Sequence, residues 1–101
     1  MSEAPSPALT EEMQVALPRW VRLRFDRVRD RWVLLAPERV LFPCPTSVEI
    51  IQKLGDRPTL HDLIDGLAAE YDAPREAIAG DVTRLLGDLA AQGFIEARVH
   101  G

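Results

Sequence analysis

Residues 19–42, RWVRLRFDRVRDRWVLLAPERVLF, decide the fold. From Arg19 onward, Val21, Leu23 and Phe25 alternate with Trp20, Arg22 and Arg24. This period of two gives a strand one buried and one wet face, and predicts a strand over about 19–26. Asp26 to Asp30 is polar and turn-like. Trp32 to Ala36 is apolar on both faces, as expected of a strand covered on two sides. Pro37-Glu38 breaks that strand, and Arg39-Val40-Leu41-Phe42 makes a short third one before Pro43 ends it. A short strand with a free edge is a place where another chain can dock. Val40, Leu41 and Phe42 cannot all face one side: alternation assigns either Val40 and Phe42, or Leu41, to the core.

Downstream the period changes to that of helices. Thr46-Ser47-Val48-Glu49 has the form of a capping box and predicts a helix from about residue 47 to 54, with Gly55 as the left-handed residue past its end. Thr59 with Asp62 is a second cap signal. After it, Leu60, Leu63, Ile64, Leu67, Ala68 and Tyr71 recur at helical spacing, predicting a helix over about 60–71. Pro74 suits the first turn of a third helix, whose stripe is Ile78, Val82, Leu85, Leu86 and Leu89 and which ends near Gln92-Gly93. Phe94 and Ile95 are expected to pack a C-terminal tail against the helices. The expected class is therefore α+β: a three-stranded antiparallel N-terminal sheet followed by three α-helices, in a winged helix-turn-helix-like arrangement. Residues 1–17, rich in Pro, Ser and Ala, read as a disordered arm or linker, 18–96 as the domain, and 97–101 as a flexible tail.

The chain has 101 residues, 47% of them hydrophobic, which suits one small core. Cys44 is the single cysteine, which excludes a disulfide framework. No apolar run approaches the roughly 18–20 residues of a membrane span, and the N-terminus lacks the pattern of a secretory signal. A cytoplasmic protein with no membrane association is expected. The net charge is -4, but it is unevenly distributed: residues 19–39 hold seven Arg against three acids, and residues 40–101 hold five bases against ten acids.

Catalytic and metal-binding patterns are absent. His61 and His100 lack the Cys or carboxylate spacing of a catalytic or zinc site, and His61 is expected to be solvated or partly packed. Cys44, between Pro43 and Pro45, has no Lys, Arg or His close in sequence to lower its pKa, and is expected to be a small buried or half-buried hydrophobe. There is no phosphate loop, nucleophile elbow or Cys-x-x-Cys motif. No catalytic residue, metal or cofactor is expected, and the protein is not read as an enzyme.

Two kinds of partner remain. A winged-helix nucleic-acid-binding protein is the alternative reading, but the helix that would enter the major groove carries Arg75 and Arg84 against Glu76, Asp81 and Asp88, so phosphates would repel it. The cationic hairpin better suits an extended acidic peptide that adds a strand to the free edge.

Particular residues extend this reading. Arg22-Leu23-Arg24-Phe25-Asp26, Arg29-Asp30-Arg31-Trp32-Val33-Leu34-Leu35-Ala36-Pro37-Glu38-Arg39, Glu49-Ile50-Ile51 and Leu67-Ala68-Ala69-Glu70-Tyr71 resemble the pyrroloquinoline quinone (PQQ) biosynthesis protein D family, PqqD. The resemblance runs in order from about Pro18 to Ile95, and its most specific part is Leu34-Leu35-Ala36-Pro37-Glu38. One departure is Gly55-Asp56, where family members commonly have Asp-Gly. The resemblance implies a peptide chaperone or adaptor, a recognition element for ribosomally made precursor peptides. Such a protein binds the precursor peptide PqqA and presents it to the radical S-adenosylmethionine enzyme PqqE. Because an unfilled edge strand can pair with its own copy, a monomer or weak dimer is expected. It also makes residues 1–17 a plausible interdomain linker, since family members occur fused to the pathway's final oxidase. By analogy, the peptide pairs with Arg39, Val40, Leu41 and Phe42 and rests on Val82, Leu85, Leu86 and Leu89 of the third helix.

Overall fold

A computed structural model describes residues 9–99 of the chain. The expected hairpin strands are β2 (Arg22–Asp26), β3 (Arg31–Ala36) and β4 (Arg39–Leu41), and they form one antiparallel sheet in the order β2-β3-β4. Leu23 lies opposite Leu34, and Leu34 opposite Leu41, so these three share the face turned to the helices. The β2–β3 turn is held by Asp26, whose Oδ1 accepts the N–H groups of Val28 (3.0 Å) and Arg29 (3.2 Å), while Asp30 takes a left-handed φ of 58°. An Asp side chain that bonds its own backbone downstream is the usual reason for such a turn.

The helices come next as α1 (Pro45–Gln52), α2 (Leu60–Tyr71) and α3 (Arg75–Ala91). Thr59 caps α2 as expected, its Oγ1 accepting the Asp62 N–H at 3.1 Å. The capping box at Thr46 does not form. Helix α1 begins earlier, with Cys44 at the cap position, Pro45 in the first turn and no side-chain cap bond. Pro45 brings a φ already suited to the helix, and this moves the start upstream. Gly55 lies inside a 3-10 turn (Lys53–Asp56), and Arg57 takes the left-handed conformation instead, at φ 54°. Gly93 (φ 86°) ends α3 where the sequence placed it. Beyond it the Phe94 N–H donates to the Leu89 carbonyl at 2.9 Å.

The larger difference is at the two ends of the domain. Met13–Ala16 form a strand, β1, antiparallel to β5 (Glu96–Val99), with Val15 opposite Ala97. Residues 13–16 are therefore not part of a disordered arm, nor 97–99 part of a flexible tail. Residues 1–8 and 100–101 lie outside the described residues. The other side of β1 is also bonded: the Val15 N–H donates to the Pro58 carbonyl (2.9 Å), and the His61 N–H to the Glu11 carbonyl (2.9 Å). Four residues carry too short a pattern to announce a strand, and their partners come from the far end of the chain and from the start of α2. Val15 is fully buried in the core with Leu34, Ile51, Leu54, Leu60, Ile64, Leu67, Leu86 and Phe94.

Candidate functional site

The hairpin turn at Pro37-Glu38 sets the chemistry of the free edge. Ala36 and Arg39 are paired directly across this two-residue loop. Residues 37 and 38 are neighbours and cannot bond each other across the loop, so the pairing requires both backbone bonds to run between Ala36 and Arg39 themselves. Bonded and non-bonded pairs alternate along an antiparallel ladder. Leu35–Val40 is then a non-bonded pair, and Leu34–Leu41 a bonded one. The N–H and C=O of Val40 point away from β3, into the open edge of the sheet, whereas those of Leu41 are committed to Leu34.

The choice that alternation leaves open between Val40 with Phe42 and Leu41 is settled by burial. Leu41 packs on the core, while Val40 is 56% exposed and Phe42 40% exposed. The Arg31 guanidinium lies 4.3 Å above the Phe42 ring, a cation–π contact that fixes the ring on the outer face of the sheet. Arg39 is exposed at the start of the edge.

Helix α3 contributes less than its apolar stripe implies. Val82, Leu86 and Leu89 are 2%, 0% and 3% exposed and belong to the core, so these side chains cannot line an open groove together. A leucine packed on all sides contributes to folding and has no free surface for a ligand. Leu85 is half-buried at the core margin. An apolar cleft of about 340 Å³ does open along α3, one turn closer to its start. Ile50, Leu67 and Val82 are buried beneath its floor, while half-buried Ile78 and exposed Tyr71, Thr46 and Asp81 form its accessible walls. Ile78 was visible as the first member of the α3 stripe, whereas Thr46 and Tyr71 join it only through packing of α1 and α2. Thr46 comes a few residues after β4 along the chain, through Pro43-Cys44-Pro45.

Cys44 is exposed, contrary to its expected burial. Its Sγ lies 3.3 Å from Ser47 Oγ. Hydrogen bonds from the Ser47 hydroxyl and the Ser47 N–H hold its thiol below the ordinary value, with burial opposing them. His61 also has carboxylate neighbours that its sequence position conceals: Nδ1 is 3.2 Å from Asp62 Oδ1 and 3.6 Å from Asp65 Oδ2. All three side chains are exposed, and Asp65 is already engaged by Arg75. The arginines of α3 are likewise committed. Arg75 binds Glu11 (Nη2 to Oε1, 2.6 Å) and Asp65, and Arg84 lies 3.5 Å from Asp81. No helix among the described residues is long and apolar enough to cross a membrane.

Comparison with known proteins agrees with this architecture. The sequence pattern of the family described as "Coenzyme PQQ synthesis protein D (PqqD)" matches residues 31–95. The chain is 47% identical over 92 residues to a PqqA binding protein of Bradyrhizobium diazoefficiens, covering 90% of this chain and 89% of that one. It is 36% identical over 95 residues to the PqqA binding protein of Gluconobacter oxydans, covering 94% and 98%. Among solved structures it resembles the solution structure of the PqqD truncation of Methylobacterium extorquens PqqCD, described as a functional and stand-alone recognition element for ribosomally synthesized and post-translationally modified peptides. That match has a TM-score of 0.74 and 36% identity, over 88% of this chain and 95% of the other. The crystal structure of PqqD from Xanthomonas campestris matches with a TM-score of 0.50 and 40% identity, over 76% and 86%. Matching family pattern, near-full-length relatives and shared fold together establish that the chain belongs to the PqqD family.

Proposed function

We propose that this protein binds the precursor peptide PqqA in PQQ biosynthesis and presents it to the radical S-adenosylmethionine enzyme PqqE, acting as a chaperone without chemistry of its own. The observation that carries this reading is the outward-facing main chain of Val40 on a strand edge unpaired among the described residues; the cleft beside α3 is a second feature an extended peptide can use. An extended peptide added to that edge gains backbone hydrogen bonds, and its apolar side chains have a cleft to enter. Both contributions are needed. Micromolar affinity corresponds to about 8 kcal/mol, and ordering a disordered peptide costs a further 2–5 kcal/mol or more. Apolar burial in the cleft, at roughly 25 cal/mol per Å², supplements the backbone bonds. The relatives' designation as PqqA binding proteins supports the identity of the peptide.

The ion pairs of α3 count against a nucleic-acid partner. With Arg75 and Arg84 occupied by carboxylates, this helix offers phosphates no uncommitted arginine. Titration of the isotope-labelled protein with PqqA, monitored by NMR, tests the proposal. Shifts confined to residues 39–42, Thr46, Tyr71 and the Ile78–Leu85 stretch are expected. Absence of shifts at high peptide excess would overturn peptide binding. Failure of PqqE to bind the loaded protein would overturn presentation.

A further inference from the structure

Arg31 lacks the partner that its place in the sheet provides. Asp26 stands directly opposite it across the β2–β3 ladder, on the same face. That carboxylate is committed to the turn: Oδ1 accepts the N–H groups of Val28 and Arg29, and Oδ2 binds the Arg29 guanidinium at 3.0 Å. Among the described residues no carboxylate lies within 4 Å of the Arg31 guanidinium, although Asp30 and Glu49 line the same cavity. The side chain turns the other way, toward β4, and its guanidinium lies 4.3 Å from the centre of the Phe42 ring. Both residues are exposed. An arginine held over an aromatic ring keeps the N–H groups at its rim, and a carboxylate binds these two at a time.

We infer that Arg31 is a specificity-determining residue of the peptide site, selecting an acidic side chain at the position of the bound strand that lies beside Phe42. The inference rests on the peptide-binding reading and adds to it the charge of one peptide residue. Phe42 is two residues on from Val40 and shares its face, and a strand added to the β4 edge sets every second side chain on that same face. One of these stands next to Phe42 and the guanidinium above it. Desolvation decides which side chain that can be. An apolar one strips water from an unpaired charge and gives it no partner, and a basic one adds repulsion. A carboxylate replaces the lost water with charge-assisted hydrogen bonds. The other arginines of the hairpin are too distant or face elsewhere. Strands lie about 4.8 Å apart, which puts β2, with Arg22 and Arg24, about 14 Å from an added strand. Arg39 is two residues from Leu41 and stands on the opposite face from Phe42.

The test is a double-mutant cycle on PqqA affinity. Arg31→Gln is expected to weaken binding about tenfold, and Arg31→Lys, which keeps the charge but not the planar fork, by less. Each acidic residue of PqqA is changed singly to its amide. One such change is expected to cost about tenfold against the wild-type protein and almost nothing further against R31Q, because the two groups form one interaction. The cycle is read as a ratio between peptides, so any change in the stability of R31Q cancels. Arg24→Gln and Arg39→Gln are expected to stay within about twofold of wild type. Unchanged affinity in R31Q, or losses that add to R31Q at every acidic position of PqqA, would overturn the inference; the peptide reading would stand if Val40→Pro still weakens binding. Equal losses in R24Q, R39Q and R31Q would overturn it in favour of a general attraction by the hairpin's charge. If the wild-type protein fails to bind PqqA at all, the peptide reading falls and the inference falls with it.

Discussion

Leu35 and Val40 face one another across the β3–β4 hairpin as a non-hydrogen-bonded pair, next to the bonded pair of Leu34 and Leu41. That one-residue difference separates a backbone available to a ligand from a backbone committed to the fold.

A proline at each position distinguishes the two roles. Val40→Pro removes an outward N–H at a strand edge, where proline is tolerated, and is expected to leave the fold intact. PqqA affinity should drop by roughly 1 kcal/mol, about fivefold. Leu41→Pro removes a donor that β3 needs and is expected to destabilise the domain itself. Calorimetric PqqA titrations alongside thermal melts of both variants check this. Equal melting losses in the two would contradict the assigned register.

The two ends of the α3 stripe should behave differently. Leu86 is fully buried, and Leu86→Ala is expected to cost about 2–5 kcal/mol of stability. Ile78 is half-buried in the cleft wall. Ile78→Asn is expected to leave the melting temperature nearly unchanged and to weaken PqqA binding by about tenfold, as withdrawal of an apolar contact does. Denaturant unfolding and peptide titration of the same two variants separate these effects.

Acid should loosen the attachment of β1. The Arg75 guanidinium, hydrogen-bonded to Glu11 and Asp65, holds both carboxyls below their ordinary values against a smaller opposing effect of burial, with His61 adding a favourable charge. A carboxyl depressed in the folded state stabilises it fully above the unfolded pKa, and that contribution is lost as pH falls through the folded pKa. The loss therefore lies below about pH 4. The variant E11Q/D65N is expected to melt below wild type at neutral pH, and the gap should close toward pH 3. Melting curves at a series of pH values check the slope.

The cap of α2 can be tested alone. Thr59→Ala removes the acceptor for the Asp62 N–H and is expected to cost about 1 kcal/mol, lowering the melting temperature by about 4–8 °C in a domain of this size. PqqA affinity should be unchanged, since Thr59 touches neither edge nor cleft.

Much of the fold was legible because it depends on local periodicity. The alternation at Val21, Leu23 and Phe25 located β2, and the apolar spacing of α2 and α3 located those helices within a residue or two. The site was legible only at the level of elements. The short edge strand could be found from its flanking prolines, but Val82, Leu86 and Leu89 belong to the core. An apolar stripe marks a face that is buried, and cannot say whether protein or ligand buries it. Thr46 and Tyr71 carry no sequence signal of a site, because α1 and α2 bring them beside Ile78 only on packing.

The sequence by itself determined the order of elements, the position of the free edge and the concentration of arginines on the hairpin, all consequences of neighbouring residues. Only the tertiary structure decided which way Leu41 faces and that Met13–Ala16 and Glu96–Val99 join as a sheet. These outcomes depend on contacts between residues distant along the chain. Their free energy comes from shared burial and from satisfying backbone groups across the fold, which no local pattern records.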